Sequence, residues 1–323
     1  MGAGSSAKLG STRRVKFKKR RKAEEVKRRR NFQPFRLLCL FFAFFAFFAC
    51  LAVNTSAQTL ENLANQIRSG SSEQKRSALF ELRNRQTEEA SRIAAPALRD
   101  TDEIVRATAA FSVVYLPKDE AFNALVPNLQ DKAEIVRRET AYALGKIQNP
   151  AAINQLVHTI QKDKSIEVKN ACVVALGEIG DASAIDFLTQ ILRQKPTEEN
   201  EFLRRGAARS VGQIAQIIQI RQAYTVTPEN FLPENFKFFT LQKYENLSAQ
   251  FPQFSASVPV LTQILQKAKE SDDTKREAAF ALGAIGDPSA LSVLQTNLNS
   301  KDYYLAEICK EAVKKLLGAA AVK

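Results

Sequence analysis

Apolar side chains recur at intervals of three and four residues through most of residues 60–318, which is the pattern of amphipathic helices. One such helix carries Ile135, Ala141 and Leu144 on a single face, and a Gly followed by Asn or Asp is expected to stop it. A second amphipathic stretch, residues 151–162, comes directly afterwards. The pattern therefore predicts helical hairpins, each made of two short helices.

The hairpin pattern repeats along the chain. The strings ALGKIQN, ALGEIGD and ALGAIGD share a Gly that stands eight residues after a Lys or Arg, and a weaker copy reads SVGQI. Extending this register gives seven basic positions, which are Lys75, Arg106, Arg137, Lys169, Arg204, Lys275 and Lys310. A single hairpin cannot bury its own apolar face, so stacked hairpins must share one elongated core. The sequence thus predicts an all-α fold, an α-solenoid of about seven helical-hairpin repeats.

One repeat is longer than the others. Arg204 and Lys275 are 71 residues apart, whereas the other neighbouring basic positions are 31 to 35 residues apart. The string LTQIL occurs at Leu188 and again at Leu261, but much farther beyond its Gly in the second case. We therefore expect an insertion at about residues 215–255 that splits the fifth unit.

The insertion is rich in aromatic residues, which can anchor a protein partner. Its candidate partner-binding residues are Phe231, Phe236, Phe238 and Phe239. The alternative is that the aromatic residues of the insertion fold back and pack on the flank of the solenoid.

The repeat motif combines the Lys or Arg, a small residue three positions later, and Ala-Leu-Gly-x-Ile-Gly-Asp. It resembles the HEAT-like repeats first associated with phycobilin lyases, over most of residues 60–318. The resemblance is specific for the fold and implies little about activity, because such repeats occur in proteins of many functions.

The resemblance implies a role for the repeated charges. Asp100, Asp131 and Asp163 each stand six residues before a repeated base, and in HEAT-type stacks such acids and bases form ladders between neighbouring repeats. Residue 269, at the matching place before Lys275, is Lys, so the ladder is expected to be interrupted after the insertion. The alternative is that these charges bind a ligand.

The resemblance also implies that the helix running from the repeated base to the Gly lines the concave face of the stack. Side chains one and five residues after the base then form a candidate partner-binding ridge: Arg138, Tyr142, Asn170, Val174, Arg205, Arg209, Arg276 and Phe280. Arg and aromatic residues together suit an acidic, partly apolar protein surface. An ordinary solvated inner face is the alternative for each of these residues.

The net charge of +13 lies almost entirely outside the repeats. Residues 1–36 hold 14 Lys or Arg against two Glu, which leaves residues 37–323 with a net charge of about +1. The repeats therefore lack the basic excess of a nucleic-acid binder. We expect residues 1–36 to be a disordered basic leader, which could alternatively bind nucleic acid or anionic lipid.

Residues 37–53 form an apolar run without charge, close to the roughly 20 residues that span a bilayer. We expect residues 37–57 to be a transmembrane anchor or a signal segment, with possible cleavage near Ala57. The basic leader would then place the repeat domain, residues 58–323, on the non-cytoplasmic side or release it as a secreted or periplasmic protein.

Sequence motifs of catalysis are absent. His158 is the only histidine, and the chain has no HExxH, CxxC, GxSxG or Walker A motif, so we expect neither a metal nor a cofactor. A single histidine is also expected to exclude a resemblance to the HEAT-repeat deoxyhypusine hydroxylases, whose iron site needs several His-Glu pairs. Cys172 is interpreted as a small core residue.

The sequence therefore predicts a non-catalytic, membrane-directed scaffold or assembly factor that binds a protein on its concave face or its insertion. A phycobilin lyase-like protein, or a maturation factor for a chromophore protein, is the alternative. A small-molecule substrate is not expected.

Overall fold

The computed structural model describes residues 59–226 and 244–318, including all their side chains except those of residues 222–226. Every regular element in these ranges is helical, which confirms the all-α prediction. In chain order the α-helices are α1 Leu60–Ser69, α2 Ser72–Arg85, α3 Glu88–Ala94, α4 Glu103–Ser112, α5 Lys118–Leu125, α6 Glu134–Ile147, α7 Ile153–Lys162, α8 Ile166–Ile179, α9 Ile185–Arg193, α10 Glu201–Val226, α11 Leu247–Gln250, α12 Pro252–Gln266, α13 Asp272–Ile285, α14 Leu291–Thr296 and α15 Tyr303–Leu317.

The helices are arranged in two layers. Helices α2, α4, α6, α8, α10, α13 and α15 form the first layer, and each packs on the next. In the second layer α1 packs on α3 and α9 packs on α12. The second-layer helices also pack against the first layer, as α7 does on α8 and α12 on α13. This stack of helical hairpins is an α-solenoid, with one first-layer helix for each of the seven predicted repeats.

The apolar face of each hairpin is buried between its neighbours. Ala141 and Leu144 of α6 and Leu156 of α7 have no exposed surface, and they belong to one apolar cluster that extends from Leu63 to Leu316. Burial of a leucine side chain such as those of Leu144 and Leu156 contributes roughly 1.5–3 kcal/mol relative to exposure. The stack is therefore held together by its periodic apolar positions.

Polar side chains fix where the first-layer helices begin. The Ser71 hydroxyl accepts a hydrogen bond from the Gln74 N–H, and the Gln74 side chain accepts one from the Ser71 N–H. Asp102, Ser165 and Ser271 cap α4, α8 and α13 in the same general way. Such caps satisfy N–H groups that lack a partner within the helix.

The repeated Gly of the ALG strings lies inside its helix rather than at its end. A Cβ at Gly283 would come within 2.6 Å of the Ala312 Cβ, and one at Gly145 within 2.8 Å of the Ala175 Cα. This Gly therefore permits close contact between successive first-layer helices. Helix α13 ends two residues later at Ile285, and the next residue, Gly286, has a φ of 73°, the left-handed conformation that favours glycine.

The split fifth unit is rejoined by its second-layer helices. Leu188 of α9 and Leu261 of α12, the first residues of the two LTQIL strings, are both fully buried, and these helices pack together. The first part of the predicted insertion, residues 215–226, continues helix α10. Near the end of the insertion, the side chains of Tyr244 and Phe254 are buried. Residues 227–243 are outside the described ranges.

The prediction of a membrane-directed protein needs correction. Among residues 59–226 and 244–318, the structure has no helix that is long and apolar enough to cross a bilayer. Even the longest helix, α10, carries several charges, including Arg204, Arg205 and Arg209. This finding contradicts the predicted membrane-anchored or secreted location, but it does not test the predicted anchor or signal segment itself. The leader, residues 1–36, and the apolar segment, residues 37–57, lie outside the described ranges.

Candidate partner-binding groove

Acid–base pairs connect successive repeats at the start of the first-layer helices. We call each such pair a rung of the ladder. Three rungs join the repeated base of one repeat to the Asp that precedes the first-layer helix of the next repeat: Lys75 to Asp100 at 2.6 Å, Arg106 to Asp131 at 2.7 Å and Arg137 to Asp163 at 2.6 Å. Each Asp also accepts a hydrogen bond from the N–H two residues later, so it stabilises the turn and the rung together.

The second rung illustrates the electrostatics of the ladder. Arg106 donates two hydrogen bonds to Asp131, from Nε at 2.7 Å and Nη2 at 2.8 Å, and its Nη1 donates to the Asp100 carbonyl. Burial alone would raise the pKa of Asp131, but the bonds from Arg106 and the Ala133 N–H outweigh it and hold the pKa below its usual value. Rungs of this kind are part of the fold and have little surface left for a ligand.

The ladder does not follow the repeat register throughout. Lys169 makes no ion pair with a described residue, although it holds the fourth basic position. Lys310 pairs with Glu307 of its own helix. Lys275 lies 3.9 Å from Asp272, and the neighbouring Arg276 makes the bidentate rung, to Asp302 at 2.8 and 3.0 Å.

The predicted interruption after the insertion is wrong. Glu270, one residue beyond the expected position, accepts hydrogen bonds from Arg204 Nη1 at 2.5 Å and Nη2 at 2.8 Å. The two side chains are 0% and 1% exposed, which makes this the most deeply buried rung. The pair therefore joins the parts of the stack before and after the insertion.

A groove runs along the first layer where α8, α10, α13 and α15 meet, with a cavity volume of about 760 Å³. It is lined by six of the eight residues of the predicted ridge, four of which lie on α10 and α13: Arg205, Arg209, Arg276 and Phe280. Two further aromatic residues, Phe202 and Tyr304, line it too. Asn170 and Val174 of α8 line it as well. Its lining residues on α8 and α10 precede the insertion and those on α13 and α15 follow it, so the groove spans the split repeat.

Ion pairs cross the floor of the groove between α10 and α13. Arg205 Nη1 donates to Asp273 at 2.9 Å, and Arg209 Nη1 donates to Glu277 at 3.1 Å. Arg276 contacts Asp273 as well, at 2.7 Å. The groove thus presents charged and aromatic side chains beside one another.

Aromatic rings hold two of these guanidinium groups in place. The Arg205 Cζ lies 5.0 Å from the Phe202 ring centroid, and the Arg276 Cζ lies 5.2 Å from that of Tyr304. Phe202 is 57% exposed and Tyr304 65% exposed, although both are large apolar rings. Exposed aromatic side chains beside arginine are typical of protein-binding surfaces.

Arg138 and Tyr142, the other two predicted ridge residues, lie outside the groove. Arg138 pairs with the adjacent Glu139 at 2.9 Å. Tyr142 lines a smaller cavity of about 290 Å³ in the first layer, together with Phe111 and Glu178. Burial raises the pKa of the Glu178 carboxyl group in this cavity.

The predicted partner-binding residues of the insertion lie outside the described residues. They are Phe231, Phe236, Phe238 and Phe239.

The sequence analysis missed Phe202, Tyr304, Asp273 and Glu277. A partial signal existed for Asp273 and Glu277, since they are spaced four residues apart like Arg205 and Arg209. The pairing of the two helices was hidden because their charges are 68 residues apart.

The buried thiols and acidic groups give no sign of a metal site in the described part of the chain. There, no group of three or more His, Cys, Asp or Glu side chains is arranged to hold an ion. Cys172 and Cys309 are both free and buried. Burial, with a smaller effect from Asp163, raises the pKa of Cys172, and burial raises that of Cys309 to about 11.

Family models match the repeats on both sides of the insertion. The model of HEAT repeats matches residues 94–172 and 122–212, and that of the PBS lyase HEAT-like repeat matches residues 274–300.

Curated proteins with a similar sequence include deoxyhypusine hydroxylases. That of Homo sapiens is 36% identical over 64 residues, covering 20% of this chain and 21% of the relative. That of Gallus gallus is 39% identical over 61 residues, covering 19% and 20%. The chain thus spans about a fifth of the length of these relatives. The expectation that a single histidine excludes a resemblance to them is wrong at the level of sequence.

Solved structures with a similar fold include an engineered protein, at 20% identity and a TM-score of 0.46, covering 80% of this chain and 68% of that one. The complex of CpcE and CpcF of phycocyanin lyase from Nostoc has 18% identity and a TM-score of 0.44, covering 82% and 97%. The registered repeats, the two-layer stack and the family models together show that this chain contains HEAT-like repeats, matched at residues 94–212 and 274–300.

Proposed function

We propose that this protein is a binding scaffold that holds a protein partner in the groove between α8, α10, α13 and α15. The observation that carries the proposal is the combination of exposed aromatic rings with arginine in one concave place, at Phe202, Arg205 and Tyr304. Trp, Tyr and Arg residues contribute most of the binding energy at many protein interfaces.

The decisive experiment compares partner capture by the full chain and by a groove variant. In Arg205→Glu/Arg209→Glu, both charges that face the groove from α10 are reversed. We expect proteins held in the groove to be lost from the captured set, as measured by quantitative mass spectrometry. Arg68→Glu/Arg92→Glu is the matched control, because these exposed arginines lie on the second-layer helices α1 and α3.

The outcome is decided by the difference between the two variants. If both double variants capture the same proteins as the unaltered chain, the groove is not the binding surface. Circular dichroism melting of each variant must first show that the helical stack is intact, since an unfolded variant would lose partners for another reason.

The aromatic insertion is proposed as a second contact with the partner, through Phe231, Phe236, Phe238 and Phe239. The residues that flank the segment 227–243 are held together by two hydrogen bonds. The Gln219 side chain donates to the Glu245 carbonyl at 2.7 Å and accepts from the Glu245 N–H at 3.1 Å. These bonds give the insertion a defined point of attachment to α10. Replacing residues 227–243 by a Gly-Ser linker of equal length should weaken capture without lowering the melting temperature. Unchanged capture would remove the insertion from the proposal.

Phycobilin lyase-like activity is a second candidate, favoured by the match of residues 274–300 to the PBS lyase HEAT-like repeat. It predicts tetrapyrrole absorbance on the acceptor protein after co-expression with chromophore. The absence of chromophore transfer by purified, folded protein would reject it.

A further inference from the structure

The three arginines of the groove differ in how fully their hydrogen bonds are used. Arg276 donates from Nε and Nη2 to Asp302 and from Nη1 to Asp273, so it joins α13 to α15. Its guanidinium also rests on the Tyr304 ring. Arg276 is thus occupied by the fold.

Arg205 and Arg209 have most of their donors unused among the described residues. Each donates one hydrogen bond, to Asp273 at 2.9 Å and to Glu277 at 3.1 Å, whereas a guanidinium group has five N–H donors. Their side chains are 37% and 67% exposed. The groove therefore has spare capacity to donate hydrogen bonds to a ligand.

The acids of the groove have less capacity to accept. Asp273 already accepts hydrogen bonds from Arg205 and Arg276. Glu277, whose side chain is only 21% exposed, accepts one from Arg209. The three arginines are balanced by these two carboxylates and by Asp302, which pairs with Arg276. A cationic ligand would have to displace an arginine, whereas an anionic ligand would find unused donors.

The positions of the two arginines suit a single carboxylate. They are four residues apart on α10, and side chains at that spacing lie on one helix face with their Cβ atoms roughly 5–6 Å apart. Phe202 stacks on Arg205, which restricts its guanidinium before any ligand arrives. Phe280 and Val174 add apolar surface beside them.

We infer that the groove binds an acidic, partly apolar segment of the partner protein, with a partner carboxylate bridging Arg205 and Arg209. The inference rests on the proposed binding function and states the chemistry of the partner. Because each arginine donates only one hydrogen bond to Asp273 or Glu277, a ligand carboxylate can accept from the remaining donors while both ion pairs stay formed. Apolar side chains next to that carboxylate would contact Phe280 and Val174.

A random 12-residue peptide display library tests the chemistry without a known partner. The full chain is the target, and Arg205→Gln/Arg209→Gln is used for counter-selection, since Gln keeps polarity and removes charge. We expect selected peptides to be enriched in Asp or Glu next to an apolar or aromatic residue.

The tightest selected peptide is then compared with its Asp→Asn and Glu→Gln version by fluorescence anisotropy. We expect at least a tenfold loss of affinity, as is reasonable for a bidentate charged contact. The double variant should lose this preference, and the control Arg68→Gln/Arg92→Gln should keep it. If the double variant does not fold, Arg209→Gln alone, at an exposed position, should still reduce the preference.

Several results would overturn the inference. These are a library with no selectable binder, enrichment of Lys or Arg, equal affinity for the acidic and amide peptides, or displacement by inorganic phosphate at equal ionic strength. Failure here combined with intact, groove-dependent protein capture would leave the binding function standing with a different partner chemistry. Loss of both would reject the binding function as well.

Discussion

Removing one arginine from the most deeply buried rung should destabilise the repeat stack severely. The Arg204 and Glu270 side chains are 0% and 1% exposed and are joined by two short hydrogen bonds. In Arg204→Ala the Glu270 carboxylate would be left buried without its counter-charge. Breaking a buried pair in this way costs about 3–5 kcal/mol of the free energy of unfolding, a large part of the stability of a typical domain.

The same pair should matter far less if both charges are removed together. In Arg204→Met/Glu270→Leu no charge is buried, and apolar side chains of similar length fill the space. Such replacements are often neutral or stabilising, so the double variant should recover most of the loss. This contrast separates the cost of an unpaired charge from the strength of the ion pair itself.

Urea denaturation followed by far-UV circular dichroism measures these differences. Since each repeat is stabilised mainly by its neighbours, weakening this rung should also split the transition into two, for the repeats before and after the insertion. Arg92→Ala is the control, because its pairs are half exposed and should contribute only about 0–1 kcal/mol. The reasoning is refuted if Arg204→Ala costs less than about 1 kcal/mol, or if the double variant is as unstable as the single one.

Two further predictions use the same measurements, and a third uses a thiol reagent. Gly283→Ala places a Cβ 2.6 Å from the Ala312 Cβ, so it should lower the free energy of unfolding by about 1–3 kcal/mol, and unchanged stability would show that α13 and α15 separate easily. The pKa values of Asp131 and Asp163 are held low, so their stabilisation is complete above their unfolded-state pKa of about 4 and is lost as the pH falls through the folded-state pKa. The urea midpoint should therefore drop on acidification below pH 4, and less so in Asp131→Asn. Burial raises the pKa of Cys309 to about 11, so a thiol reagent at pH 8 should modify it only after denaturation.

The repeat architecture could be predicted because the same physical requirement acts on every unit. Leu144, Leu188 and Leu261 are buried since each hairpin must cover its neighbour, and the requirement returns at each period. The string LTQIL located the two halves of the split unit for that reason. Even the close helix contact at Gly283 repeats, although its role inside the helix was mistaken for a stop.

The ladder could be predicted only where the register stayed fixed. Glu270 takes the place of the Lys at residue 269, and Arg276 takes the place of Lys275, each shifted by one residue. The acid and the base shift in the same direction, so Glu270 still stands six residues before Arg276, as Asp131 does before Arg137. Arg276 can also form a bidentate contact with Asp302, which the single ammonium group of Lys275 cannot.

Only part of the groove could be predicted from the sequence, because the charged and aromatic residues that line it do not all recur with the repeat period. Arg205 and Arg209 stand at repeat positions, but the acids that pair with them follow the insertion, and the register alone does not say how the stack resumes there. In the other repeats the shared residues are mostly buried in the common core, so these residues are not available to contact a partner. At the split unit, by contrast, the packing of α10 on α13 brings Arg205 and Arg209 next to acids that are not part of the repeat motif. This local departure from the repeat pattern supports the proposed binding surface in the groove between α8, α10, α13 and α15.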